Sequence, residues 1–231
     1  MNERAYKALM RSAVLLTLAW VGWTFYDTQT RNITPESLAL TAAVKYLEDG
    51  NFGDALTAYT SVLEINPENL GALRGRAQAL MQLGAREAQA SQRLLDQGNQ
   101  TEADKRAAES DGHYRQALDS YDEAIRREDA RADTKDHRSI QGVAYANRGI
   151  LKDRMGDYPG ALSDYRTAIR LEPKLTEGPG LLTRFMRNQP EKPPTVLDRA
   201  RYLEEQLKKS EAERLLELSD EDLKQRPYRL D

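Results

Sequence analysis

Hydrophobic and polar positions fall along the chain in two textures. Residues 12–26 (SAVLLTLAWVGWTFY) run without a charge. From about residue 36 onward, apolar residues recur every three or four positions among charged ones, the spacing of helices with one buried stripe and one wet face. Within that second texture three blocks share a pattern: GNFGDALTAYTSVLEINP at 50–67, GHYRQALDSYDEAIRRED at 112–129 and GDYPGALSDYRTAIRLEP at 156–173. Each has a glycine, an aromatic two residues on, an alanine three further and a tyrosine four beyond that.

The pattern has a physical reading. Gly50, Gly112 and Gly156 suit a tight turn between two helices. Phe52, Tyr114 and Tyr158 open the second helix and pack back onto the first. Ala55, Ala117 and Ala161 are small where helices approach closely, and Tyr59, Tyr121 and Tyr165 lie one turn on, on the same face. Pro67 and Pro173 stop a helix before the next begins. Blocks of this kind resemble the second helices of tetratricopeptide repeats, helix–turn–helix units of about 34 residues. The first helices fit as well, with Ala39, Ala43 and Tyr46 before the first block and Tyr145 and Gly149 before the third.

The resemblance implies an all-α fold: a solenoid of three repeats at 36–69, 70–131 and 142–175, within a domain spanning 35–175. Thr34-Pro35-Glu36 is a good start for its first helix, an N-cap followed by proline at the first helical position. The middle repeat departs from the family. Its first helix begins at Leu70 and expects a turn at Gly84, yet the second block begins at Gly112, leaving an insertion at 85–111. The simplest reading extends both helices until they meet at Gly98-Asn99, a projecting hairpin with Leu94 and Leu95 near its tip; a polar loop is the alternative. About ten further residues at 130–141 either lengthen the next helix or form a loop, and His137 among them reads as solvated. Residues 176–194 are a Pro/Gly-rich linker with a short amphipathic helix at 181–189. A last helix is predicted from about Thr195 to Leu218, its stripe of Val196, Ala200, Leu203, Leu207, Leu215 and Leu218 capping the end of the solenoid or docking on a partner. It belongs to a C-terminal helix and tail at 195–231, of which the tail runs out extended after one short helix.

The uncharged run at 12–26 follows Arg4, Lys7 and Arg11, a basic N-terminus at 1–11, and is joined to the repeats by a short tether at 27–34. As a helix it spans roughly 22 Å, short of a hydrocarbon core of about 30 Å. Snorkelling of Lys7 and Arg11 would extend it. Val14, Leu15, Leu16 and Leu18 form the apolar body, and Trp20, Trp23 and Phe25 sit where an interfacial aromatic belt belongs. An uncleaved membrane anchor, a cleaved signal peptide and an amphipathic surface helix compete. The signal peptide lacks small residues at a cleavage site and the surface helix lacks a polar stripe, so the transmembrane anchor leads. The positive-inside rule then leaves residues 1–11 in the cytoplasm and the repeats beyond the membrane. In a bacterium that means a single pass of the inner membrane with the repeat domain on the periplasmic side.

Composition narrows the chemistry. The 34 basic and 37 acidic residues are interspersed, so no basic face suggests nucleic acid. Cysteine is absent and there are two histidines, which argues against thiol catalysis and against a transition-metal site. No phosphate loop, nucleophile elbow or zinc-protease motif occurs. No enzyme, cofactor or metal is expected. The resemblance instead implies a protein-binding scaffold whose groove is lined by the first helices: Leu40, Thr41, Val44 and Leu47; Arg74, Gln78 and Met81; Val143, Asn147, Ile150 and Arg154. Family members that clamp a terminal carboxylate carry Lys, Arg and Asn in that groove. Leu40, Val44, Gly75 and Val143 occupy most of those positions here, so a mixed apolar groove for an amphipathic or extended segment fits better. The expected partners are proteins or peptides, subunits of a membrane complex among them, with a permanent subunit of such a complex as the alternative role.

Overall fold

The computed structural model describes residues 3–30, 34–131, 134–178, 194–216 and 227–228, and every regular element among them is helical. The chain divides into two compact units, Met1–Leu38 and Ala39–Asp231.

The first unit is dominated by α1 (Glu3–Thr30). Its apolar side chains face outward on all sides: Val14, Leu15, Leu16, Leu18, Trp20 and Trp23 are exposed, Trp20 by 67%. The side chain of Phe25 lies outside the described residues. Thr17 donates to the Ala13 carbonyl at 2.9 Å and Thr24 to the Trp20 carbonyl at 2.5 Å, so these hydroxyls are satisfied within the helix. Among the described residues, however, no helix is long and apolar enough to cross a membrane. That corrects the expected transmembrane span. The uncharged run covers only about 22 Å at the helical rise, and Arg11 closes it on one side.

The second unit is a run of helices, each from residue 52 onward packed on the next, preceded by most of a helix that begins in the first unit and whose Ala43 and Leu47 pack on Ala55 and Tyr59. α2 (Pro35–Glu48) starts from Thr34, whose hydroxyl accepts the Ser37 N–H at 3.1 Å, while Ser37 Oγ accepts the Thr34 N–H at 3.0 Å. α3 (Phe52–Ile65), α4 (Leu70–Asp96), α5 (Gln100–Asp129), α6 (Lys135–Arg154), α7 (Tyr158–Leu171) and α8 (Val196–Leu207) follow, with a 3-10 turn at Pro173–Thr176. Asn69, Asn99, Thr134 and Asp157 cap α4 to α7 with side-chain acceptors.

The repeated residues lie in the core. Ala55, Ala117 and Ala161 have no exposed surface, and Tyr59, Tyr121 and Tyr165 are buried one turn beyond them. The rings of Tyr59 and Tyr165 lie against a glycine of the facing helix. A Cβ on Gly149 would stand 2.7 Å from the Tyr165 ring, and one on Gly75 would overlap the ring of Tyr59. Small residues let the helix axes come close, and the rings fill the space beside them.

Gly50 and Gly156 turn the chain at φ of +77° and +81°, the left-handed region that favours glycine. Gly112 does not share that role. It lies inside α5, and Gly98 makes the turn instead at φ +76°. The insertion 85–111 is helical on both sides of that turn. Its arms are tied by Ser91 donating to the Ala103 carbonyl and Ser110 to the Gly84 carbonyl, both at 2.8 Å, and by Arg106 with Glu87 at 2.9 Å. Thr134 caps α6, so the residues after it lengthen that helix.

α8 is shorter than its apolar stripe predicts. It ends at Leu207, and a 3-10 turn follows at Glu211–Glu213. The chain folds back because the helix offers acceptors: Arg214 donates to the Lys209 carbonyl at 3.0 Å and to that of Leu207 at 3.3 Å, and Gln206 Oε1 accepts the Leu215 N–H at 3.1 Å. Leu215 therefore faces solvent instead of completing the stripe. Leu218 and the short helix expected at 181–189 lie outside the described residues. Val196, Ala200 and Leu203 are buried in the main core, and Arg199 forms a two-pronged pair with Asp153 of α6, both contacts 2.7 Å. Tyr165 also donates to Asp153, at 3.1 Å.

Candidate protein-binding surface

The eleven groove residues read from the sequence have unequal surroundings. On α2, Thr41 and Val44 are exposed, Val44 by 43%, and Leu40 is half-buried against the cluster formed by Ala43, Ala55, Tyr59 and Val62. Leu47 is buried in that same cluster. The reason is the helical period. Ala43 and Leu47 lie on the side turned to α3, whereas Thr41 and Val44 are rotated away from it.

On α4, Met81 is fully buried, and Arg74 and Gln78 are half-buried. Arg74 pairs with Glu128 of α5, which is 2% exposed, and His137 of α6 reaches the other oxygen of that carboxylate, Nε2 to Oε2 at 2.6 Å. His137 is thus drawn out of solvent, contrary to the expectation from its polar neighbours. Burial pulls the Arg74 guanidinium below its ordinary range, and the Glu128 carboxylate opposes that shift.

Val143 and Ile150 of α6 join Met81 in the main core cluster. Arg154 is half-buried. Asn147 is 4% exposed, and both ends of its amide are engaged by one residue far along the chain. The Tyr228 N–H donates to Oδ1 at 2.7 Å, and Nδ2 donates to the Tyr228 carbonyl at 3.0 Å. The Tyr228 hydroxyl accepts the Val196 N–H at 3.0 Å and donates to the Leu175 carbonyl at 3.3 Å. The structure therefore brings Met81, Val143 and Ile150 into one core, leaves Thr41 and Val44 on a separate open face, and covers Asn147 with the chain's own tail. Tyr228, Glu128 and the Asp153–Arg199 pair carry no local sequence signal; each is defined by a partner distant in sequence.

A charged network joins α5, α6 and α7. Arg148 holds Asp164 through two contacts and Asp122 through one, all 2.7 Å, and Lys152 adds a contact to Asp164 at 3.0 Å. Beside them α7 and Leu207 border an open depression of about 470 Å³, lined by Leu162, Arg166 and Arg170 among others. No group of three or more His, Cys, Asp or Glu side chains able to hold a metal is found among the described residues.

Comparison with known proteins agrees with the helical pairing. Residues 46–110 match the family model of the tetratricopeptide repeat, from the end of α2 through α3 and α4 into α5. No curated protein matches the chain. Tetratricopeptide repeats are generally non-catalytic modules of protein–protein interaction, and over residues 46–110 this chain is similar to them.

Proposed function

We propose that the chain is a scaffold of three tetratricopeptide repeats that recruits or assembles protein partners at a membrane, to which α1 attaches it. The observation that carries the reading is the open face of α2. Thr41 and Val44 stand exposed there beside half-buried Leu40, while the opposite face of the same helix is sealed in the core. A mixed apolar face of this kind suits the apolar side of an amphipathic helix. Support for attachment comes from α1, where exposed leucines, valines and tryptophans stand together on one helix. Lys7 and Arg11 beside that run would add attraction to an anionic lipid surface, along which such a helix could lie.

Replacing Leu40 and Val44 together with lysine should abolish partner capture in membrane crosslinking and leave the helical circular dichroism unchanged. Capture that persists at the native level would place the partner on another face. A second reading is a permanent accessory subunit of a membrane complex, favoured by Ala19 and Gly22 on α1, since small residues allow close helix contacts. Sizing of mild-detergent extracts separates the two. A stable high-mass assembly supports the subunit, and a monomer with dissociable partners supports the scaffold.

A further inference from the structure

A buried side-chain amide needs partners for both of its ends, because an unpaired polar group away from water is costly. Asn147 finds both on the backbone of one residue, 81 positions away in sequence. That geometry constrains the occupant. The N–H and C=O of a single residue point to the same side only when the backbone is extended, as at the paired positions of an antiparallel ladder. The amide therefore reads an extended strand and is indifferent to its side chain.

Selectivity comes from the ring. Val196 N–H belongs to the first turn of α8, one of the donors that a helix leaves without an internal acceptor. The Tyr228 hydroxyl supplies that acceptor and itself donates a hydrogen bond to the Leu175 carbonyl, while the ring lies against the main core. A phenylalanine would fill the same space and leave the Val196 donor unpaired. Burial raises the Tyr228 hydroxyl above its ordinary range, which keeps it protonated as a donor.

Tyr228 is not the sole fastening of the neighbouring elements. α8 is also pinned by Arg199 on Asp153 and by its buried apolar residues.

We propose that the face of α6 around Asn147, roofed by Leu175 and the start of α8, is a binding site for an extended peptide bearing a tyrosine, held in the free chain by its own Tyr228. The proposal rests on the scaffold reading and names the chemistry of one partner segment. An intramolecular occupant acts at an effective concentration in the millimolar range, so a partner must outcompete it.

The test uses the full chain and a fluorescent synthetic peptide of residues 223–231, LKQRPYRLD, followed by anisotropy. Tyr228→Ala in the protein should expose the site and tighten peptide binding at least ten-fold over the unaltered chain. A peptide with phenylalanine in place of its tyrosine should bind at least five-fold more weakly. Adding Asn147→Ala to the Tyr228→Ala chain should remove binding. Should that variant unfold, Asn147→Asp keeps the volume but cannot donate to the carbonyl, and it should weaken binding at least ten-fold. A folded Tyr228→Ala chain that ignores the peptide, or binding indifferent to both Asn147 variants, overturns the proposal. Partner capture lost on altering Leu40 and Val44 tests the scaffold separately: peptide failure with capture intact sinks only the tyrosine site.

Discussion

Gly112 sits in the interior of α5 at a helical conformation, with nothing within 4 Å of the place a Cβ would occupy. Glycine in a helix interior is less favourable than alanine by about 1 kcal/mol, through the backbone freedom it loses. Gly112→Ala is therefore expected to stabilise the protein by about 0.5–1 kcal/mol, read as a higher midpoint in urea at an unchanged slope. At this scale the sequence was legible where identity and spacing coincide. The tyrosines at 59, 121 and 165 and the alanines four residues before them are all buried, because a helical period fixes their shared face. Glu128 was not legible. Its surroundings, RRED, read as a solvated run, and only the approach of Arg74 and His137 from two other helices explains a carboxylate 2% exposed. Tyr228 was illegible for the same reason, since its two acceptors and two donors come from residues 147, 175 and 196.

Among the helices, the long hairpin of α4 and α5 has its arms in register. Ser110 meets the carbonyl of Gly84, and Ser91 meets that of Ala103, nearer the turn. Residues 84 and 111 therefore flank one level of the hairpin. Excising 84–111 joins 70–83 to 112–131 and leaves a unit the length of 36–69 with Gly112 at its turn. The shortened chain is expected to fold, with helical circular dichroism and a single cooperative thermal transition. Loss of cooperativity would mean that the hairpin arms support the stack. The end of α8 shows why element boundaries escape a periodic reading. The apolar positions continue to Leu215, but backbone acceptors at Leu207 and Lys209 are taken by Arg214, and the chain turns back there.

For the molecule as a whole, the decisive division is between Met1–Leu38 and Ala39–Asp231, each compact in itself. A chain beginning at Thr34 is expected to lose flotation with phosphatidylethanolamine–phosphatidylglycerol vesicles while its thermal unfolding matches that of the full chain. Retained flotation would assign membrane attachment to the repeats. The apolar run of α1 was plain in the sequence, as was its shortfall against a hydrocarbon core. The free face of α2 was only partly so. The four groove positions proposed on that helix divide between solvent and core according to which side α3 covers.

The seal that α8 places over α7 has a consequence for assembly. A stack of like hairpins is open-ended, since the surface that receives the next unit in one chain could receive the first unit of another and grow a fibre. Here that surface is occupied by Val196, Ala200 and Leu203, and Arg199 beside them pairs with buried Asp153. Losing the Arg199 side chain with the helix in place would leave that carboxylate buried without its cation, at a cost of about 3–5 kcal/mol. The same ion pair that fastens a helix thereby makes the array terminate, so that neighbouring copies crowded together cannot extend one another from this end.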